Sequence, residues 1–162
     1  MKTLFLVRHA KSSRNEPPLP DTERPLSGRG RRDAPRMGRR LHERGVELDL
    51  IVSSPALRAL ATAKIIARQL HYPRKRIEVD DRLYPGAARA LLEVIRGLDV
   101  SLARVMLVGH NPGLSELAHR FASAITDLPT CAVAEFNFDA GSWRNIGTVA
   151  ASNVTLESPT MP

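Results

Sequence analysis

Two histidines and two arginines stand where short apolar runs of the sequence end, and their types could hold an anionic group and react with it. Arg8 and His9 follow one run, Arg58 follows a second, and His110 follows a third. An arginine guanidinium matches phosphate oxygens with paired hydrogen bonds, and a histidine can act as nucleophile, general acid or oxyanion donor. Each residue alone is a weak signal. Together they predict a strongly cationic site for phosphate chemistry.

The apolar runs before these residues have the length and composition of buried strands. They cover residues 4–7, 48–52 and 104–108, and helical patterns lie between them. The carboxyl ends of parallel strands meet at one edge of a sheet, where open α/β sheets bind ligands. We therefore expect an α/β/α sandwich of three layers with a mostly parallel sheet. A brief strand is also expected at 77–79, and two further strands, near 132–138 and 153–156, would close the sheet with antiparallel pairing at one edge.

Length and composition favour one domain in a reducing compartment. The 162 residues suit a single domain, which we place at residues 1–156, with 157–162 as a loose tail. The single cysteine, Cys131, excludes an intramolecular disulfide and is interpreted as a small core residue. No segment resembles a secretory signal or a membrane span, so we expect a cytoplasmic protein without membrane contacts.

The charge of the chain predicts a surface that attracts anions. The formal net charge is +7, and much of the excess lies in a helical pattern between Arg29 and Arg44. That pattern is interpreted as a solvated helix face, with a dedicated binding patch as the alternative. Aromatic residues make up 4% of the chain, and no nucleic-acid-binding motif is present, which disfavours nucleic acid as the partner.

Four segments, in order, resemble the histidine phosphatase superfamily, and more narrowly the short SixA-type phosphohistidine phosphatases. They are L-F-L-V-R-H-A-K-S, R-P-L-S-G-R-G, V-S-S-P-A-L-R-A-L-A-T-A and V-M-L-V-G-H-N-P-G-L. The resemblance covers Met1 to Ala122 and implies a phosphoglycerate-mutase-like fold. It implies that His9 is the nucleophile that accepts phosphate, while Arg8, Arg58 and a protonated His110 hold the phosphoryl oxygens.

The match has two departures from the superfamily pattern, and one further residue fits it. The signature usually reads Arg-His-Gly, whereas this chain has Ala10. Larger members carry a glutamate that protonates the leaving group, and here the corresponding region reads V-D-D-R-L-Y-P-G. Asp81 is our candidate acid or base, with Asp80 and Asp21 as alternatives, although these aspartates could equally cap turns. Arg24 also matches a family position near the phosphate pocket.

The resemblance implies a phosphohistidine phosphatase that acts on phosphorylated protein and releases inorganic phosphate. A histidine phosphotransfer domain of a signalling relay is one such partner, and the short chain leaves the site shallow and open. We expect no metal or other cofactor, since the arginines supply the positive charge. The alternative is a general small-molecule phosphomonoesterase, and a non-catalytic anion- or nucleic-acid-binding protein is less favoured.

Overall fold

Strands and helices alternate along the chain, which the computed structural model describes from residue 1 to residue 161. The strands are β1 (Lys2–Arg8), β2 (Leu50–Ser53), β3 (Glu78–Val79), β4 (Arg104–Gly109), β5 (Val133–Phe138) and β6 (Asn153–Glu157). The helices are α1 (Gly28–Glu43), α2 (Leu57–Gln69), α3 (Ala88–Arg96) and α4 (Gly113–Phe121). All six strands predicted from the sequence are present, with small shifts at their ends.

The strands form one sheet in the order β3-β2-β4-β1-β5-β6. β1, β2, β3 and β4 pair in parallel, whereas β5 runs antiparallel to both β1 and β6. Helices α1 and α2 cover one face of the sheet, and α3 and α4 cover the other. The predicted sandwich of three layers, with a mostly parallel sheet and antiparallel pairing at one edge, is confirmed.

The central position of β1 explains why its sequence is a continuous apolar run. Leu4 and Leu6 pack into the core with α3 and α4, whereas Phe5 and Val7 pack into the core with α1 and α2. Successive side chains of a strand point to opposite faces, so a strand covered on both sides needs apolar residues at every position. Burial of each such side chain stabilises the fold by about 1.5–3 kcal/mol. The strand that carries Arg8 is therefore firmly held.

The segment after β1 is fastened to the start of α1. The Ser27 side chain caps the helix by accepting a hydrogen bond from the Gly30 amide at 3.1 Å, and the Ser27 amide donates to the Lys11 carbonyl at 2.8 Å. A Cβ atom at residue 30 would lie 2.1 Å from the Lys11 carbonyl oxygen, so the close approach requires glycine. The loop after His9 is thus tied to a helix end.

The C-terminal segment packs more closely than expected. Glu157, predicted to begin a loose tail, ends β6 and pairs with Arg44 at 2.8 Å. Ser158 is buried, and its carbonyl accepts a hydrogen bond from Arg40 at 2.9 Å. The difference arises because α1 supplies two arginines to this segment. Pro162, the end of the predicted tail, lies outside the described residues. Among residues 1–161, no helix is long and apolar enough to cross a membrane.

Candidate active site

The register of β1 and β4 brings two histidines together. Arg8 is the partner of Gly109 in the parallel pairing, so His9 and His110 leave the sheet side by side. Their ring centroids are 5.1 Å apart, and both residues are buried. The His9 amide donates to the Gly109 carbonyl at 3.1 Å, which ties the two strand ends together. The predicted convergence of strand ends is therefore present for both histidines.

His9 presents an unprotonated ring nitrogen. Its Nδ1 lies 2.8 Å from the Ala10 carbonyl oxygen, which can only accept, so Nδ1 carries the hydrogen. Nε2 then holds a lone pair, and it accepts a hydrogen bond from Arg58 Nε at 3.3 Å. Burial lowers the pKa of His9 to about 4, and the positive charges of Arg58 and Arg8 act in the same direction. At neutral pH the His9 ring is therefore uncharged, and Nε2 carries its lone pair.

Arg58 stands in the first turn of α2, as predicted, and the same helix supports the peptide after His9. Thr62 Oγ1, one turn further along, accepts a hydrogen bond from the Ala10 amide at 3.0 Å and donates to the Arg58 carbonyl at 2.8 Å. Ala10, which replaces the usual glycine, is fully buried. Thr62 thus joins the loop after His9 to the helix that carries Arg58, a role that the sequence did not suggest.

His110 is uncharged at neutral pH, contrary to the expectation of a protonated ring. Burial lowers its pKa to about 3, and the positive charge of Arg58 acts in the same direction. Its Nε2 lies 2.7 Å from Ser54 Oγ, a hydroxyl that also accepts from the Ala56 amide. A Ser54 hydroxyl that donates to Nε2 leaves the hydrogen of His110 on Nδ1. Within residues 1–161, this Nδ1 is buried and has no hydrogen-bond partner.

Arg8 is oriented by a network behind the sheet edge. Its Nη1 donates to the Leu128 carbonyl at 3.0 Å, and the same carbonyl accepts from Asn111 Nδ2 at 2.9 Å. Ser115 Oγ donates to Asn111 Oδ1 at 2.7 Å and accepts from the Leu128 amide. Arg8 Nε is buried and without a partner among the described residues. Arg8 and His110 therefore each have one hydrogen-bond donor, Nε and Nδ1 respectively, without a partner in residues 1–161.

Asp21 is the carboxylate that the fold brings to this site. Its Oδ2 accepts from Arg58 Nη2 at 2.9 Å and from the Tyr84 hydroxyl at 2.6 Å, and its backbone carbonyl accepts from Arg58 Nη1 at 2.6 Å. Arg24 Nη1 donates to Oδ1 at 3.1 Å. The hydrogen bonds from Tyr84 and Arg58 hold the pKa of Asp21 far below its usual range. Asp21 is therefore ionised and fixes the outer end of Arg58.

The structure does not connect Asp81, the candidate acid or base, to the converging residues. Within residues 1–161 its exposed side chain makes no hydrogen bond or ion pair with them, because the short turn that it begins directs it to solvent. Asp80 caps the same turn and pairs with Arg82 at 2.8 Å. Cys131 is buried, as predicted, and burial raises the pKa of its thiol to about 12. A thiolate nucleophile at Cys131 is thereby disfavoured.

A cavity of about 610 Å³ opens over His9. Six of its lining residues are lysine or arginine, and the lining contains no carboxylate side chain. The lining residues are Arg8, His9, Lys11, Ser12, Ser13, Arg14, Arg24, Ser27, Arg29, Arg58 and Thr130. His110 lies next to His9 of this lining, and its ring is nearly perpendicular to that of Tyr84, with the two ring centroids 5.3 Å apart. Within residues 1–161, no cluster of three or more acidic, histidine or cysteine side chains could hold a metal ion.

Comparisons with known proteins agree with this geometry. The sequence model described as Histidine phosphatase superfamily (branch 1) matches residues 4–84, half of the chain. The chain belongs to the histidine phosphatase superfamily. It is also 31% identical, over 151 residues, to an uncharacterized chloroplastic protein of Arabidopsis thaliana, a match that covers 88% of this chain and 69% of the relative.

Solved structures of other phosphatases share the fold. A protein histidine phosphatase SixA, solved in complex with tungstate, matches with a TM-score of 0.82 at 22% identity, over 97% of both chains. A mycobacterial glucosyl-3-phosphoglycerate phosphatase matches with a TM-score of 0.68 at 17% identity, over 98% of both chains. The predicted superfamily membership and the SixA-like fold are both confirmed. The roles of the individual site residues stay predictions that follow from this membership and from the geometry above.

Proposed function

We propose that this phosphatase hydrolyses phosphohistidine on protein partners through a phosphohistidine intermediate at His9. The observation that carries the proposal is the lone pair of His9 Nε2, held in a cationic cavity by the hydrogen bond from Nδ1 to Ala10. An attacking nitrogen must be unprotonated, and the lowered pKa keeps it so at neutral pH. The tungstate bound to the SixA of similar fold supports an oxyanion site.

In the first step, the Nε2 lone pair attacks phosphorus, and the bond from phosphorus to the substrate nitrogen breaks. The leaving imidazole takes the bonding electron pair. The conjugate acid of an imidazole has a pKa of ~6.5, so the other ring nitrogen of the substrate can carry a proton near neutral pH. The imidazole then leaves as a neutral ring without an acid from the enzyme. His9 keeps its hydrogen on Nδ1 throughout, and the positive charge that forms on its ring is stabilised by the Ala10 carbonyl.

The phosphoryl oxygens would bind to donors that surround His9. Arg58 Nε already contacts Nε2, and the unused donors of Arg8 and His110 face the same edge of the sheet. The His110 donor is the Nδ1 hydrogen of the neutral ring, so binding a phosphoryl oxygen there requires no further proton. Because arginine charge replaces that of a metal ion, we propose that turnover is metal-independent.

In the second step, water attacks the phosphorus of phosphorylated His9. The bond from phosphorus to Nε2 breaks, its electron pair returns to Nε2, and His9 leaves as a neutral ring because Nδ1 still holds its hydrogen. The proton of the water passes to the released phosphate or to solvent. Positioning and charge, rather than acid catalysis, thus account for both steps.

Parallel assays test this proposal with three substrates: a phosphorylated histidine phosphotransfer domain, p-nitrophenyl phosphate and serine phosphate. We expect kcat/KM to fall in that order, because an alkoxide needs protonation to leave and an imidazole does not. Brief incubation with labelled substrate should place an acid-labile, alkali-stable phosphate on His9, and His9→Ala should remove both label and turnover. Equal efficiency on serine phosphate and phosphohistidine, or label on another residue, would refute the proposal.

A general small-molecule phosphomonoesterase is the second candidate, and the size of the cavity favours it. A volume of about 610 Å³ lies in the range of small-ligand sites and exceeds what one phosphoryl group requires. On this alternative, a small phosphate ester would be turned over faster than the phosphoprotein in the same assays.

A further inference from the structure

Arginines form a stripe along the exposed side of α1. They are Arg29, Arg32, Arg36 and Arg39, and we call them the arginine stripe. Their spacing of three, four and three residues places them on one side of a helix with 3.6 residues per turn, opposite its buried residues. At a rise of 1.5 Å per residue, the stripe is about 15 Å long.

The stripe makes few contacts within the molecule. Arg29 contacts Asp33 at 3.3 Å, a weak pair on the helix surface. Arg32, Arg36 and Arg39 make no hydrogen bond or ion pair with any residue from 1 to 161. Like charges three or four residues apart on a helix repel one another, so the stripe opposes helix stability rather than supporting it.

The arginines on the other sides of α1 behave differently. Arg31 and Arg40 donate to backbone carbonyls of neighbouring segments at 2.9 Å, and Arg44, directly after the helix, pairs with glutamates of β5 and β6. These side chains stabilise the fold directly. In contrast, Arg32, Arg36 and Arg39 stabilise the fold through no hydrogen bond or ion pair within residues 1–161.

The stripe is continuous with the cavity above His9. Arg29, its first member, lines that cavity together with Lys11 and Arg14 of the loop after β1. A row of arginines therefore runs from His9 along α1 as far as Glu43, and Asp33, the carboxylate beside the row, pairs with Arg29. A ligand that bound only through its phosphoryl group would leave most of this surface unused.

We propose that the arginine stripe docks an acidic face of the phosphoprotein substrate and so places its phosphohistidine in the cavity. The inference rests on the proposed function, and it identifies the partner as a protein whose surface carries carboxylates near the phosphorylated residue. Charge complementarity steers such a partner toward the site and increases the rate of encounter. Among residues 1–161, the exposed large apolar side chains include no aromatic ring on which nucleic acid bases could stack.

The test is a stripe variant, in which Arg32, Arg36 and Arg39 are replaced by glutamine. Its substrate is a phosphorylated histidine phosphotransfer domain with an acidic face. We expect KM for this domain to rise about tenfold, the low end of electrostatic steering, with kcat unchanged. Turnover of p-nitrophenyl phosphate should not change, since none of the three side chains lines the cavity. The dependence of kcat/KM on salt should also become weaker.

A matched control removes the same charge from the opposite face of the sheet. Arg89, Arg120 and Arg144 are exposed and lie on α3, on α4 and in the segment between β5 and β6. Their replacement by glutamine should leave KM for the phosphoprotein within about twofold of the wild type. Equal losses in the two triple variants would show an effect of net charge alone and would overturn the proposal. So would an unchanged KM in the stripe variant.

Failure of the proposed function would be seen separately. If the wild type hydrolyses p-nitrophenyl phosphate but not the phosphoprotein, the proposed function is refuted. Docking is then tested separately, by inhibition. The unphosphorylated acidic domain should inhibit turnover of the aryl ester in the wild type but not in the stripe variant. Equal inhibition of both, or none, rejects docking. A stripe variant that loses affinity for a duplex DNA probe, with its KM for the phosphoprotein unchanged, would also reject it.

Discussion

Lowering the pH from 7 to 5 should destabilise the fold, because His9 and His110 are buried without charge. Burial lowers the pKa of His9 from 6.5 to about 4 and that of His110 to about 3. In the unfolded chain both rings take up a proton at about pH 6.5. Between about pH 4 and pH 6.5 the unfolded state therefore binds more protons than the folded state. The contribution to stability is complete above this window and is lost as the pH falls through it.

The size of the effect follows from the two lowered pKa values. Each histidine removes about 2 kcal/mol from the free energy of unfolding between pH 7 and pH 5, or about 4 kcal/mol for both. This is a large fraction of the ~5–15 kcal/mol that stabilises an ordinary domain. Asp21, whose pKa is lowered instead, stabilises the fold above its ordinary value of 3.8 and loses that contribution only at more acidic pH. The carboxylate effect therefore lies outside the window of the histidines.

Urea denaturation at pH 7, 6 and 5 measures this dependence. The single variants His9→Asn and His110→Asn should each lose about half of the pH-dependent part, whatever their stability at pH 7. Arg89→Gln, an exposed change remote from the site, should keep the full dependence. A wild-type stability that stays constant between pH 7 and pH 5 would refute the reasoning, because it would mean that both rings accept protons within the fold.

Three further predictions concern the site. Arg58→Ala should lower kcat about 10²- to 10³-fold in steady-state assays with little change in Tm, and Arg58→Lys should not restore it, since an ammonium lacks the planar fork. Asn111→Ala should lower kcat at least about tenfold, because the Leu128 carbonyl that orients Arg8 loses its second donor, and an unchanged kcat would contradict this. Asp21→Asn should strengthen inhibition by inorganic phosphate, since Arg58 loses its internal carboxylate partner; an unchanged or weaker inhibition constant would argue against it.

The strands and the four principal site residues could be predicted because their signals are local. A continuous apolar run followed by a charged residue indicates a buried strand that ends at the sheet edge, as for Arg8 and His9. The parallel pairing then places His110 beside His9, so topology and local sequence lead to the same site. Arg58 follows another such run, at 48–52, and its place in the first turn of α2 could be predicted from the strand-to-helix junction between them.

The supporting residues could not be predicted, since their partners are remote in the sequence. Thr62 contacts Ala10 across 52 residues, and Ser54 contacts His110 across 56 residues. Asp21, named from the sequence only as an alternative acid, contacts Arg58 across 37 residues from a proline-rich loop with no periodic pattern. Such contacts depend on how the loops finally pack against the sheet edge. From the sequence alone, a small polar residue in a junction is equally consistent with a turn and with a hydrogen bond to a site residue.

The protonation states of the site residues restrict which leaving groups can be released. His9 and His110 are uncharged at neutral pH, so neither has an extra proton to give, and Asp21 is fully ionised. The hydroxyl of Tyr84 donates to Asp21 at 2.6 Å, and that hydrogen bond raises its pKa, so its proton is retained. A phosphate ester of an ordinary alcohol, whose oxygen must be protonated as it leaves, would find no acid among these groups. An imidazole leaves without one, so burial, which keeps His9 nucleophilic, also favours phosphohistidine as the substrate.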